Sequence, residues 1–472
     1  MSGVLIVGAS AGGLTVAEVL RAKGYTGRIR LVGEESHPPY DRPPLSKEVL
    51  AGAWPAERAF LRDPARLDAL GAEFILGRRA ERLDTAARTV DLDDGRTLSY
   101  DTLVIATGLS PRRPPFLRDL AGVHALRTQD LAVQHTLRTQ DLAGVHTLRT
   151  LDDALAVREG LRGARRVAVI GAGVLGCEIA ATARTLGAEV TLIDPLPTVM
   201  GRQLGDELGS LVGALHESHG VRVRTGVGVA GLTGAAAGHT AGDGPGKDGP
   251  GADSPSGGGP SGGGPSGDGP SGDGPSGDGL GGEGSGGGDG LAGRVGAVGL
   301  TSGESVPADL VVIAVGSVPA TGWLAGSGLS LTDGVECDSH CRAAPAVYAV
   351  GDVARWHHEL LGTSVRLENR TNATQQAMAV AADIMGDGAP YTPIPYFWTD
   401  QYDVKLQIHG HIPPGARLRP LDGEPGGGRF AALAEVDGVP TAAIGWNHPR
   451  GVRLARGHVT DALRSMPNLR LT

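Results

Sequence analysis

Two glycine-rich stretches hold the residues best placed to do chemistry. Gly8-Ala9-Ser10-Ala11-Gly12-Gly13 follows the apolar run Val4 to Val7 and opens the helix-length stretch Leu14 to Lys23. Gly171-Ala172-Gly173-Val174-Leu175-Gly176 stands in the same relation to Val167 to Ile170 and to Cys177 to Leu186. In each, the first glycine permits a tight turn and the last lets helix and strand pack closely. The helix N-terminus then offers free N–H groups to a pyrophosphate. The second loop has all three glycines, Gly171, Gly173 and Gly176; in the first, Ser10 stands between Gly8 and Gly13 and is small enough for close approach. A further strand and an acid follow each loop: Glu34 lies 26 residues after Gly8, and Asp194 lies 23 after Gly171. An acid at that place accepts hydrogen bonds from ribose hydroxyls. At Asp194 it would also repel a 2′-phosphate, which favours NADH over NADPH, with Arg202 nearby as an opposing influence. A chain that binds two dinucleotides usually moves a hydride between them, and one of the two is usually a flavin.

The chain has three cysteines, Cys177, Cys337 and Cys341. They cannot form a disulfide framework, and the Cys337/Cys341 spacing supplies two of the four ligands that structural zinc requires. Aromatic residues are 4% of the chain, and their densest cluster is Tyr396-Phe397-Trp398 with Tyr402.

The elements around these motifs read as α/β. Short Val/Ile/Leu runs (Leu5 to Val7, Ile29 to Val32, Leu103 to Ile105, Val167 to Ile170, Val190 to Ile193, Leu310 to Val315) alternate with Ala- and Leu-rich helical stretches. Continuous apolar strands suit a parallel sheet covered on both faces. Beyond about residue 395, Gly/Pro turns separate short strand patterns, which predicts a small α+β domain. Residues 234–293, almost all Gly, Ser, Pro and Asp, read as a disordered insert. An eleven-residue unit occurs three times, from Leu120, Leu131 and Leu142, and reads as a duplication lengthening a connector. Four hundred and seventy-two residues suggest about three domains. A net charge of −9 argues against nucleic acid as a partner. No apolar run is long enough for a membrane span, and no leader is expected ahead of Val4, so cytoplasm is the expected compartment.

Four more motifs lie in fixed order: Pro43-Pro44-Leu45-Ser46-Lys47, Ala106-Thr107-Gly108, Val350-Gly351-Asp352-Val353-Ala354, and Phe397 to Tyr402. With the glycine loops, they make the chain resemble the ferredoxin-reductase-like flavoproteins, the putidaredoxin-reductase type and the reductase components of aromatic-ring dioxygenases. The resemblance covers all but residues 119–151 and 234–293. It implies a glutathione-reductase-like architecture of two Rossmann-like domains plus a small α+β C-terminal domain. An FAD domain of 1–118 and 318–395 would be interrupted by a connector (119–151) and an NAD(H) domain (152–317), with 396–472 closing over the flavin. FAD would contact Gly8, Ser10, Gly13, Glu34, Arg42, Pro43, Lys47, Thr107, Gly108, Asp352 and Trp398. NADH would contact Gly171, Gly173, Gly176, Glu178 and Asp194, and Lys47, Glu178 and Trp398 would serve the chemistry. A helix from near Asn372 (Ala373 to Met385) would aim its positive end at the flavin.

Disulfide reductases of this architecture carry a cysteine pair beside the flavin, and residues 34–60 hold no cysteine. Electrons should therefore leave the flavin directly, one at a time, for a ferredoxin serving a cytochrome P450 or a ring-hydroxylating oxygenase. The tail from Asn447, with Arg450, Arg453, Arg456, Arg464 and Arg470 against Asp461, is a candidate docking patch. Two rival expectations stay open: a rubredoxin- or nitrite-type reductase of the same architecture, and a flavin-based redox sensor.

Overall fold

The computed structural model describes residues 3–114, 142–235 and 293–465. Seven α-helices occur among them: α1 (Ala11–Ala22), α2 (Pro64–Ala69), α3 (Leu151–Gly163), α4 (Val174–Thr185), α5 (Gly201–Ser218), α6 (Arg370–Ile384) and α7 (Pro449–Ser465).

The apolar run Val4–Val7 is fully buried and forms the middle of the first sheet. It pairs in parallel with Ile29–Gly33 on one side and Thr102–Ile105 on the other. Glu73–Leu76 and Val347–Ala349 extend the parallel sheet outward, and Arg342–Ala344 closes one edge antiparallel. α1 and α6 lie close together on this sheet: a side chain added at Gly12 would meet Ala373. The helix expected from about Asn372 begins earlier, at Arg370, because Asn369 caps it by accepting the Asn372 N–H at 2.7 Å.

A second parallel sheet repeats the plan around Arg166–Ile170, with strands in the order 222–225, 189–194, 166–170, 310–313 and 145–147. Its edge strand Val145–Thr147 comes from the third copy of the eleven-residue unit. That corrects the reading of the repeat as a plain connector. Thr150 of the same copy begins α3 with a capping box, accepting the Asp153 N–H while Asp153 accepts the Thr150 N–H. Such a cap is worth about 1 kcal/mol. The equivalent of Asp153 is Leu131 after the first copy and Leu142 after the second, so the sequence reserves the helix start for the third. The other two copies, and the insert, lie outside the described residues. The insert joins the ends of an antiparallel pair, Val229–Gly234 and Val295–Leu300. Leu109–Pro111 and Ser317–Pro319 pair antiparallel where the chain passes between the two sheets.

The last part is a five-stranded antiparallel sheet in the order 396–401, 404–410, 439–446, 430–436 and 417–422. Side chains alternate across it with period two. Leu433 and Ala443 face α7, whose apolar stripe Val452, Ala455, Val459 and Leu463 covers them. Leu406, Ile408, Ala432 and Ile444 face the other way, into a core shared with Leu45, Val49 and the second sheet's Val169 and Leu192. The small domain is thus held by burial against the other two. Among the described residues, no helix is long and apolar enough to cross a membrane.

Deleting residues 120–141 should leave fold and stability intact, because it removes the first two copies and joins Asp119 directly to the third, whose Leu142 to His146 repeats Leu120 to His124. Shortening the connection should raise stability by about 1 kcal/mol. A drop in melting temperature would contradict it.

Candidate active site

The two glycine loops fold alike, down to their backbone hydrogen bonds. Gly8 N–H donates to Val32 O at 2.8 Å, and Gly171 N–H to Ile193 O at 2.7 Å. Both glycines have positive φ, 121° and 106°, and a Cβ on them would lie 2.2 Å from Ala106 O and 2.3 Å from Ala314 O. A Cβ at Gly13 would lie 1.9 Å from Gly8 O, and one at Gly176 would lie 1.8 Å from Gly171 O. Neither pair tolerates a side chain. At Gly173, by contrast, an added Cβ meets nothing within 4 Å, which explains why the matching position of the first loop can be Ser10.

Helix starts show what these loops are shaped for. α2, α3 and α6 are closed by the side chains of Asp63, Thr150 and Asn369. α1 and α4, which start at Ser10 and Gly173, have no side-chain cap. No side chain takes up their first N–H groups, as an anion-binding cradle requires, although α5 also starts without a side-chain cap. The residues therefore fit a pyrophosphate at each. The acids differ. Asp194 accepts the Ala172 N–H at 2.6 Å and the Leu196 N–H at 2.8 Å, so its carboxylate braces the second loop. Glu34 is exposed just past its strand. Its neighbour Glu35 accepts from Tyr40 Oη–H at 2.5 Å and from Arg42 at 2.9 Å.

Arg42 was expected to wall the flavin pocket; it also donates to the Arg149 carbonyl, while Tyr40 Oη accepts the Leu151 N–H at 3.1 Å. The third repeat copy is thereby strapped to the first domain. Arg149 itself was missed by sequence reasoning. A Cβ on Gly108 would lie 3.0 Å from Arg149 Nη2, so the guanidinium rests on the Ala106-Thr107-Gly108 turn, where Thr107 donates to Ala320 O at 2.9 Å. Burial, and then Arg42, push the Arg149 pKa down to about 10, with Asp352 acting against them. Asp352, in the turn Gly351–Val353, is pushed upward by burial while Arg149, Arg42 and Arg366 pull it down. The only signal for Arg149 in the sequence was its repetition as Arg127 and Arg138, which pointed to duplication instead.

Lys47 and Glu178, expected near different cofactors, form one ion pair. Lys47 follows the turn Pro43–Ser46, and its Nζ lies 3.0 Å from Glu178 Oε2 on α4. The two side chains are 15% and 8% exposed. Ser46 Oγ–H donates to the same Glu178 oxygen at 2.5 Å, and Thr399 of the C-terminal sheet donates to Oε1 at 2.9 Å. A buried carboxylate needs such donors, since desolvation alone disfavours its charged form. Trp398 is not part of this group. Strand alternation turns it to the opposite face, stacked with Tyr396 at 5.8 Å, and Tyr396 stacks on His409 at 4.3 Å.

A family model described as pyridine nucleotide-disulphide oxidoreductase matches residues 2–247 and 285–377, and one for a reductase C-terminal domain matches 396–468. The chain belongs to the pyridine nucleotide-disulphide oxidoreductase family. The oxidoreductase is 32% identical to a ferredoxin–NAD(P)(+) reductase of a Sphingomonas species over 92% of its own length and 87% of the relative's. It is 33% identical to the ferredoxin–NAD(+) reductase component of an anthranilate 1,2-dioxygenase system of Burkholderia cepacia, covering 96% and 92% of the two chains. Among solved structures it resembles the reductase in a covalent putidaredoxin reductase–putidaredoxin complex, with a TM-score of 0.78 and 29% identity over 98% of this chain and 93% of that one. This oxidoreductase nevertheless lacks an exposed dithiol: Cys177, Cys337 and Cys341 are all free and buried. Burial pushes each thiol upward, Cys341 to about 12. Among the described residues, no cluster of His, Cys, Asp and Glu could hold a metal ion.

Two outcomes follow. Lys47→Met should cost about 3 kcal/mol of unfolding free energy, because it leaves Glu178 buried without its cation. Lys47→Met with Glu178→Gln should recover most of that loss, and strictly additive losses in urea unfolding would argue against the pair. His216, fully buried, has its pKa pushed down to about 4 from 6.5, by burial first and then by His219, with Gln401 opposing. The unfolded chain then binds more protons between those values, so stability falls as pH drops through that window, by up to about 3 kcal/mol from this residue. Unfolding curves of His216→Gln should be flatter with pH over the same range.

Proposed function

We propose that the protein is an NADH-dependent, FAD-containing ferredoxin reductase. The observation that carries this reading is the Lys47–Glu178 pair. It joins the first nucleotide domain to the helix that opens the second loop, at the place where a disulfide reductase would need cysteines. On this reading Gly8, Ser10, Gly13, Glu34, Arg42, Pro43, Thr107, Gly108 and Asp352 hold FAD, and Arg149 joins them as a cation for its pyrophosphate. Gly171, Gly173, Gly176 and Asp194 hold NADH, with Glu178 beside the nicotinamide amide. Bound there, FAD takes two electrons as a hydride and releases them singly, which no side chain can do. Lys47 places a fixed positive charge beside the ring that gains negative charge, and it is already oriented before the reaction.

The relatives' names include a ferredoxin–NAD(+) reductase and a ferredoxin–NAD(P)(+) reductase. The Asp194 carboxylate at the end of its strand supports NADH here. The acceptor would be a small acidic iron–sulfur protein, a [2Fe–2S] ferredoxin serving a P450 or ring-hydroxylating oxygenase, in the cytoplasm. α7 offers it a face. Arg450, Arg453, Arg456 and Arg464 are exposed, with Leu454 among them 69% exposed. Among the described residues these four arginines have no ion-pair partner. Arg456 lies close enough to His409 to help depress its pKa, so the face adjoins the ring series His409, Tyr396 and Trp398. A positive, unpaired helix face steers an acidic partner and sets the salt dependence of encounter.

The test is an anaerobic titration of the flavin-loaded protein with NADH and NADPH in parallel, followed by a bacterial [2Fe–2S] ferredoxin. Rapid bleaching by NADH and reoxidation by ferredoxin are expected. Arg453→Glu with Arg456→Glu should raise KM for ferredoxin about tenfold, while ferricyanide reduction stays unchanged. Reoxidation by rubredoxin alone would favour the rival reductase, and a stable reduced protein that no acceptor oxidises would favour a sensor.

A further inference from the structure

Behind Glu178 runs a line of buried polar side chains that the glycine-loop chemistry does not require. Thr399 Oγ1 donates to Glu178 Oε1 at 2.9 Å and accepts from Gln401 Nε2 at 3.1 Å. Gln401 Oε1 faces His216 Nε2 at 2.9 Å, and His216 Nδ1 faces Tyr402 Oη at 3.2 Å. Thr399, Gln401 and His216 are 1%, 3% and 0% exposed.

The protons of this line can be assigned by elimination. A carboxylate only accepts, so the Thr399 hydroxyl must spend its hydrogen on Glu178. Its oxygen can then only accept from Gln401, which turns the Gln401 NH₂ toward Thr399. The second hydrogen of that NH₂ points at Met200 Sδ, 3.6 Å away, a weak acceptor. Gln401 Oε1 is therefore the acceptor, and His216 must carry its proton on Nε2. Nδ1 is left to accept from Tyr402 Oη–H. Burial keeps His216 neutral, which agrees with that tautomer. All four hydrogen bonds run in one direction, from Tyr402 to Glu178. Aligned hydrogen bonds polarise one another, and they do so most in a dry interior. The surroundings are dry: Thr399 and Gln401 border a small cavity otherwise lined by apolar side chains, Val212, Leu215, Leu406 and Trp446 among them.

We propose that Thr399, Gln401 and His216 are positioning residues for hydride transfer, a one-way hydrogen-bond chain that holds the Glu178 carboxylate with its other oxygen turned to Lys47. The chain begins on α5 and the C-terminal sheet and ends on α4, so the small domain completes the active site from behind. This assignment rests on the reading that the Lys47–Glu178 pair serves the flavin and nicotinamide.

The experiment compares Thr399→Val, Thr399→Ser, His216→Phe and Glu178→Gln in the flavin-loaded protein, by anaerobic stopped-flow reduction with NADH, by the flavin midpoint potential, and by ¹⁵N NMR of histidine. Thr399→Val keeps the shape and removes the donor. It should slow bleaching at saturating NADH by about tenfold, the loss of one hydrogen bond to a charged group, shift the midpoint potential, and leave the NADH Kd within about twofold. Thr399→Ser should restore the rate to within about twofold, and His216→Phe, three bonds away, should slow it by about threefold. In the wild-type spectrum His216 should be the Nε2–H tautomer. Wild-type rate and potential in Thr399→Val, with Glu178→Gln slow, would overturn the hydrogen-bond chain alone; so would an Nδ1–H tautomer at His216. Wild-type reduction by Glu178→Gln would overturn the reading of the ion pair, and this inference with it.

Discussion

A carboxylate that is 8% exposed must be met by donors from whatever parts of the chain can reach it. Glu178 stands on a helix of the second nucleotide domain, and its donors come from the other two parts: Ser46 and Lys47 of the first nucleotide domain and Thr399 of the C-terminal sheet. Leaving any of them out would strand charge in an interior where charge is costly. The requirement links the relative placement of the parts to the state of one side chain. It also fixes how the strand Tyr396–Gln401 must run. Thr399 and Gln401 turn inward to the polar line, and Tyr396 and Trp398 turn outward to α7. One strand thus separates the Lys47–Glu178 pair from the face that carries the rings of Tyr396, Trp398 and His409.

The two nucleotide cradles are a single steric solution used twice. In each, a positive-φ glycine passes a carbonyl from the neighbouring strand, and a second glycine five residues on lets the helix sit against the turn. Differences appear only where space allows them. Ser10 occupies the position where Gly173 is open, and the brace that Asp194 supplies in the second loop has no counterpart at Gly33, where a Cβ would run into Ala9. In the first domain the buried cations are Arg42, held by Glu35 and Tyr40, and Arg149, which rests on the Gly108 turn.

The glycine loops, the flanking strands and the C-terminal change of pattern were legible because each depends on local chemistry. A Cβ clashes or it does not, and an apolar run buries itself or it does not. Helix α6 was legible too, apart from its first turn, where a cap at Asn369 outweighed the apolar pattern. The repeat misled for a related reason. Three similar units look equivalent, and only the residue after each, Asp153 against Leu131 and Leu142, shows which one can start a helix.

The sequence by itself determined the two dinucleotide loops, the absence of a dithiol between residues 34 and 60, and the presence of Lys47, Glu178 and Asp352 in recognisable motifs. These are properties of residue type and short spacing. Tertiary structure alone decided that Lys47 and Glu178 are partners, that Arg149 lies on the Gly108 turn, and that Thr399, Gln401 and His216 stand in line behind the carboxylate. The Thr399–Glu178 and His216–Gln401 bonds join positions 221 and 185 residues apart. No local preference encodes them; they arise because a buried charge takes its partners from whatever packing brings within hydrogen-bond reach.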